Sequence, residues 1–284
     1  MAPRFGTVRA CSGEALANFS WRDYAPFAWL LAAEFLFLVL ASNLGSTWGM
    51  ATAGRIAHLV GGDGATRNPG FFVHLPAIFA YVEVGIYTLV GALVLPLAIA
   101  GVLAPFEPSL KDPAVRSARV RGAILPTFFG LVLYLGVAIL WQWAIGAVIA
   151  PFFIVLMGKG FNAMVAIWAV SAILGFVFVA AVYYVPIVAL RRGGSPGGAV
   201  VGGLREGLPL LFGTFLYLLL FSIPALVMQA IVQLFATMIV VRLRPELILV
   251  LLSVYATFTS IATYLSFSAA VRLYMTETET EEGS

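Results

Sequence analysis

The chain is poor in charge. Of its 284 residues, 16 are Lys or Arg and 13 are Asp or Glu, a charged share of 10%, where soluble domains carry about 25%. So few charges could not cover the surface of a water-soluble protein of this length. Cysteine is almost missing as well. The single Cys11 excludes an internal disulfide framework and a cysteine-based metal cluster. Histidine occurs at His58 and His74, whereas a bis-histidine haem needs two at matched depth on facing helices. His58 falls in a loop and His74 at a helix end on the same side, so neither haem nor metal is expected, and no cofactor. The chain has no His-Glu-x-x-His, no Gly-x-Ser-Gly and no paired intramembrane aspartates, which removes the usual intramembrane protease chemistries.

What fills the chain is apolar. Hydrophobic residues make up 62%, against roughly 45–50% in globular domains, and the mean hydropathy is +1.01. The composition is that of a polytopic integral membrane protein, an all-α bundle forming one transmembrane domain over residues 1–275. The net charge of +3 is not read as nucleic-acid affinity, because its basic residues cluster by loop. No apolar segment with a small-residue cleavage site occurs in residues 1–24, so the first membrane helix is expected to act as an uncleaved insertion signal.

Crossing the hydrocarbon layer takes about 20 apolar residues. Six spans are predicted, at about residues 26–46, 71–104, 122–149, 161–190, 208–241 and 247–274. The second and fifth exceed the bilayer thickness and must tilt, kink or project. Pro76 and Pro96 are the expected breaks in the second, since proline removes a backbone donor and clashes with the preceding turn. Pro151 is expected to end the third, leaving 150–157 as a re-entrant or interfacial piece. Residues 276–284, rich in glutamate, read as a disordered acidic tail.

Orientation follows from the basic residues. Arg4, Arg9, Arg22, Lys111, Arg116, Arg119, Arg121, Arg191, Arg192, Arg205 and Arg272 fall on one side; Arg55, Arg67, Lys159, Arg242 and Arg244 fall on the other. That bias places both termini in the cytoplasm, as an even number of spans requires. Trp141 and Trp143 lie about 30 Å beyond the start of the third span, where an outer aromatic belt belongs.

Candidate chemistry is sparse. Glu34 and Glu83 lie within spans, and charge at the bilayer centre costs a few kcal/mol, so such residues are candidates for function. No Lys or Arg lies mid-span to neutralise them. Each must be protonated, hydrogen-bonded, close to an interface or beside a watery cavity. Tyr87 is one turn after Glu83 and could donate to it. The functional reading is a proton-coupled or substrate-binding pair; the structural one is a protonated hydrogen bond and an interfacial carboxylate. Gln229 and Gln233, one turn apart, read more simply as bridges between helices than as substrate contacts. Gly130, Gly136, Gly146 and Gly175 offer small faces for close packing. Residues Gly193-Gly194-Ser195-Pro196-Gly197-Gly198 lack the Lys-Ser/Thr end of a phosphate-binding loop and read as a tight turn.

One stretch carries a resemblance. Val185-Pro186-Ile187-Val188-Ala189-Leu190-Arg191-Arg192, the glycine-rich turn, then Gly203-Leu204-Arg205-Glu206-Gly207 and the apolar run from Leu208 form a helix end, basic turn, short helix and new span. This segment, with the ending Phe267-Ser268-Ala269-Ala270-Val271-Arg272-Leu273-Tyr274, resembles bacterial six-helix proteins similar to the membrane domain of glycerophosphodiester phosphodiesterases. Gly202 and Gly203 stand where that family more often has serine or a larger residue. The resemblance covers about 90 residues. It implies a helical membrane module and no diesterase activity, because the family's catalytic unit is a separate soluble domain that this chain lacks.

The sequence therefore leads to a non-enzymatic multi-pass protein of a bacterial inner membrane, a scaffold or accessory subunit contacting lipids and other membrane proteins, or a lipid-binding module. The alternative is a small proton-coupled transporter using Glu34 and Glu83.

Overall fold

A computed structural model describes residues 5–42, 71–157, 160, 162–167, 169–170, 183–242 and 246–282. The described residues are helical throughout and contain no strand. In chain order the elements are α1 (Phe5–Ala17), α2 (Trp21–Tyr24), α3 (Phe27–Ser42), α4 (Phe71–Leu89), α5 (Gly91–Leu103), α6 (Pro113–Ala144), α7 (Ala150–Met157), α8 (Val185–Arg192), α9 (Pro196–Gly207), α10 (Leu211–Arg242) and α11 (Glu246–Glu282). Among the described residues three helical runs are long and apolar enough to cross a membrane: Pro113–Val137, Pro196–Ile239 and Leu247–Thr278. The bent pair α4–α5 makes a fourth if it is one span, and Phe27–Ala41 is a shorter apolar helix. Most of the predicted span at 161–190, and the loop bearing His58, Asp63, Arg55 and Arg67, lie outside the described residues.

The second span breaks, but not at its prolines. Its halves meet at 61°, and the break falls at Val90, between Thr88 and Gly91. Pro76 and Pro96 each stand inside their helix, and the chain stays helical through both despite the i→i−4 bond each forfeits. At the break, Thr88 Oγ1 donates back to the Val84 carbonyl at 2.8 Å, a bond that bends helices, and Gly91 follows directly. Pro151 likewise does not end its span. A π-helical turn at Ile145–Ile149 precedes it and carries the chain from α6 into α7; the shifted register accommodates the missing donor.

α11 continues to Glu282, where composition predicted a disordered tail. Thr276 and Thr278 donate back to the Arg272 and Tyr274 carbonyls, and Arg191 donates to Thr278 Oγ1 at 3.2 Å. The Arg191 bond ties the first of the extra turns to α8. In the turn before α9, Gly193 and Gly194 take φ of +64° and +101°, a region open to glycine. Ser195 then caps α9 by accepting from the Gly198 N–H at 3.2 Å.

Two apolar clusters form the core. One gathers Phe27, Leu30, Leu103, Tyr184, Tyr217 and Tyr274 near the end where α1, α8 and α9 sit. The other gathers Leu38, Leu75, Phe79, Val232, Ile248 and Leu252. α1, not anticipated from sequence, lies along α11 and buries Val8, Cys11, Ser12 and Ala15, one stripe at helical spacing. Burial pushes the Cys11 thiol up from its ordinary value, so little thiolate forms near neutrality. We expect a neutral maleimide at pH 8 to alkylate the folded chain at least about 100-fold more slowly than the denatured chain, followed by mass spectrometry; equal rates would show α1 undocked. A raised folded value means that the neutral thiol's stabilisation is complete below about pH 8.5 and fades as pH climbs past it.

Candidate functional site

Between the two apolar clusters lies a polar layer. On α3, Glu34 falls one turn beyond Leu30 of the first cluster and one turn before Leu38 of the second. On α4, Glu83 stands between Phe79 and Tyr87, which pack against opposite clusters. On α11, Thr259 follows Leu252 and Tyr255 and precedes Tyr264; on α10, Ser222 stands between Leu218 and Ala225. Four helices thus bring polar side chains to one depth.

Glu34 is fully buried and Glu83 nearly so, at 0% and 8% exposure. The two carboxyls are close enough to interact electrostatically. The Tyr255 hydroxyl donates to Glu83 Oε2 at 2.8 Å. Glu83 Oε1 and both oxygens of Glu34 have no hydrogen-bond partner among the described residues. Leaving a buried polar group unpaired costs about 1–3 kcal/mol, more when charged. Three such oxygens side by side are therefore an arrangement that packing alone would remove.

Glu83 borders a partly open cavity of about 250 Å³ between α4, α5, α6, α8, α10 and α11. Its wall carries the rings of Tyr87, Tyr134, Tyr183, Tyr255 and Phe267 and the hydroxyls of Thr88, Thr127, Ser222, Thr259 and Thr263. Among the described residues no Lys, Arg or His lines it. Tyr183 and Phe267 stack face to face, centroids 3.8 Å apart.

The structure brings together three of the residues singled out from sequence: Glu34, Glu83 and Tyr87. The hydrogen bond anticipated from Tyr87 to Glu83 is made by Tyr255 instead, and the Tyr87 hydroxyl has no partner among the described residues. Gln229 and Gln233 sit elsewhere. Gln229 is half-buried, Gln233 exposed, and both border a pocket of about 10 Å³ with Pro76, Phe79 and Leu252. Tyr255 lines both spaces and so partitions them. Sequence reasoning missed Tyr255, Thr259, Tyr134 and Ser222, hydroxyls unremarkable within apolar helices. Among the described residues no group of His, Cys, Asp or Glu could hold a metal ion.

The basic residues that sequence assigned to one side converge at one end of the bundle. Glu107 accepts from Arg119 at 2.6 Å and pairs with Arg191 at 3.2 Å; Arg192 pairs with Glu206 at 2.6 Å, and Arg272 with Glu14 at 3.2 Å. The Tyr274 hydroxyl donates to Glu206. These pairs tie α1, α6, α8, α9 and α11 together well away from the carboxyl pair.

Fold and site together define a class: a helical protein with helices long and apolar enough to cross a membrane, a buried carboxyl pair and a cavity bordered by one of its members. No protein-family model matches the chain, and neither a curated protein nor a solved structure matches it.

Proposed function

We propose that this chain is a six-span carrier of a bacterial inner membrane, both termini cytoplasmic, in which Glu34 and Glu83 couple a proton to a small solute in the cavity. One observation carries the reading. Two buried carboxyls lack a basic partner among the described residues, and one of them, Glu83, borders a partly open, largely apolar cavity that carries threonine and serine hydroxyls. Charge in a low-dielectric interior is held only where it is paired, protonated or functional. Glu83 borders the solute's cavity, Glu34 stands behind it, and a proton can pass between the two as the solute arrives or leaves. The orientation rests on the basic residues, whose ion pairs share one end of the bundle.

The scaffold or accessory-subunit reading draws on the outer surface, where Leu125, Phe129 and Leu133 of α6 are exposed. Lipid covers such a face as well as a partner helix does, and that reading leaves the carboxyl pair unexplained. The resemblance of the α8–α9 segment to six-helix membrane modules supports a membrane bundle and adds no enzymatic activity.

The test is proton-linked solute flux in vesicles carrying the full chain, compared with Glu34→Gln, Glu83→Gln and the double variant. A carrier of this design loses at least about 100-fold of its flux with both carboxyls replaced, while the bundle stays assembled. Flux unchanged in the double variant would sink the proposal.

A further inference from the structure

The cavity beside Glu83 is unfavourable to charge of either sign. An anion would meet no Lys, Arg or His in its wall among the described residues. A cation fares no better, because no carboxylate oxygen is open to it. Glu83 Oε1 and both oxygens of Glu34 are covered by protein, and Glu83 Oε2 is taken by the Tyr255 hydroxyl at 2.8 Å. An ion entering here would lose its hydration and gain no counter-charge in return.

What the wall offers suits a neutral molecule. Most of it is apolar, with Val84, Leu95, Leu131 and Leu218 among its members. Tyr183 and Phe267 add a stacked pair, and Tyr134 a further ring. Rings gain from ring partners beyond the area they bury. The polar groups within reach are hydroxyls of both habits. Thr88, Thr127 and Thr263 have given their protons to the Val84, Ala123 and Thr259 carbonyls and keep lone pairs. Tyr134 and Ser222 keep their protons; Tyr87 and Thr259 do too, but their oxygens are covered. A single oxygen on the guest is therefore served whether it donates or accepts. Size narrows the class further. An apolar cavity of about 150 Å³ holds benzene, so about 250 Å³ leaves room for a second ring, still below the roughly 300–1,000 Å³ of drug-sized sites.

We propose that the cavity binds a neutral aromatic molecule of one or two rings bearing one hydroxyl or carbonyl oxygen. Its rings lie among the aromatic and leucine side chains, and its oxygen bonds to Ser222 or Tyr134. This names the solute class for the carrier reading and rests on it for the transport step alone, not for binding.

The experiment is equilibrium dialysis of the purified full-length chain in detergent near pH 7.5, reading saturable uptake beyond that of protein-free micelles. The probes share one size: naphthalenemethanol, methylnaphthalene, the saturated decalin alcohol, protonated naphthalenemethylamine and naphthoate. Naphthalenemethanol is expected to bind at least about 10-fold tighter than either ion. It should also bind at least about 3-fold tighter than methylnaphthalene, which lacks the oxygen, and than the decalin alcohol, which lacks the rings. Ser222→Leu, which fills the space, should abolish the saturable uptake. Should that variant fail to fold, Ser222→Cys on a Cys11→Ala background replaces it, and naphthalenemethanol should slow its alkylation by a neutral maleimide. Any of the other four probes matching naphthalenemethanol would overturn the proposal, as would saturable uptake of none. Uptake that survives Ser222→Leu, or alkylation that the alcohol leaves unslowed, would overturn it too. Saturable naphthalenemethanol binding without proton-linked flux leaves this site standing and removes the carrier; proton-linked flux of a charged solute, with no such binding, does the reverse.

Discussion

Replacing Gly203 with alanine is expected to destabilise the bundle, although alanine is the better helix former by up to about 1 kcal/mol. A Cβ at this position of α9 would stand 2.5 Å from Val185 Cα and 2.7 Å from its backbone nitrogen. Backbone cannot swing aside as a side-chain tip can, so α9 must move off α8. Overpacking of this kind costs about 1–3 kcal/mol, more than the propensity gain. Gly197, also in α9, has nothing within 4 Å of the position its Cβ would take, so Gly197→Ala should hold or raise stability. Thermal unfolding of both variants in detergent checks the pair. A Gly203→Ala protein as stable as Gly197→Ala would mean that α8 and α9 do not pack as described.

That contact reaches the cavity. Val185 is part of its wall and is pinched from the other side by Gly130 of α6, whose Cβ would meet Val185 Cγ1 at 3.1 Å. Gly203 and Gly130 together fix where α8 enters the bundle. The glycine at position 203 then has a steric cause. In sequence terms it suggests a weaker short helix; in the fold it is what lets the helix dock.

Much of the fold is legible from the chain because apolar runs must be helical to satisfy their backbone in lipid. Glu34 and Glu83 stand out for the same reason, as charges where charge is expensive. The kinks are less legible. Pro76, Pro96 and Pro151 are conspicuous letters, but the chain stays helical through all three. The bend at Val90 instead follows a threonine back-bond that exists once the helix has formed. α1 is easily passed over because its buried stripe of Val8, Cys11, Ser12 and Ala15 is made of small residues with little hydropathy. α11 continues past Thr276, where Arg191, remote in sequence, reaches Thr278. The cavity is the least legible feature. Tyr134, Ser222, Tyr255 and Thr259 are ordinary residues in their own helices and become a site when four helices bring them to the depth of Glu83.

The central claim is that this cavity opens to water on both sides of the membrane in turn, since a carrier must load and unload its solute. The single native cysteine makes a direct measurement simple. With Cys11→Ala as background, Ser222→Cys places one thiol in the cavity wall, and a small membrane-impermeant trimethylammonium-ethyl thiosulfonate is applied to sealed vesicles from one face or the other. The account predicts labelling from each face, at least about 100-fold faster than for a thiol sealed in a close-packed core. Labelling from neither face, with full reaction after denaturation, would make the cavity a closed packing feature and contradict the account; labelling from one face alone would contradict transport.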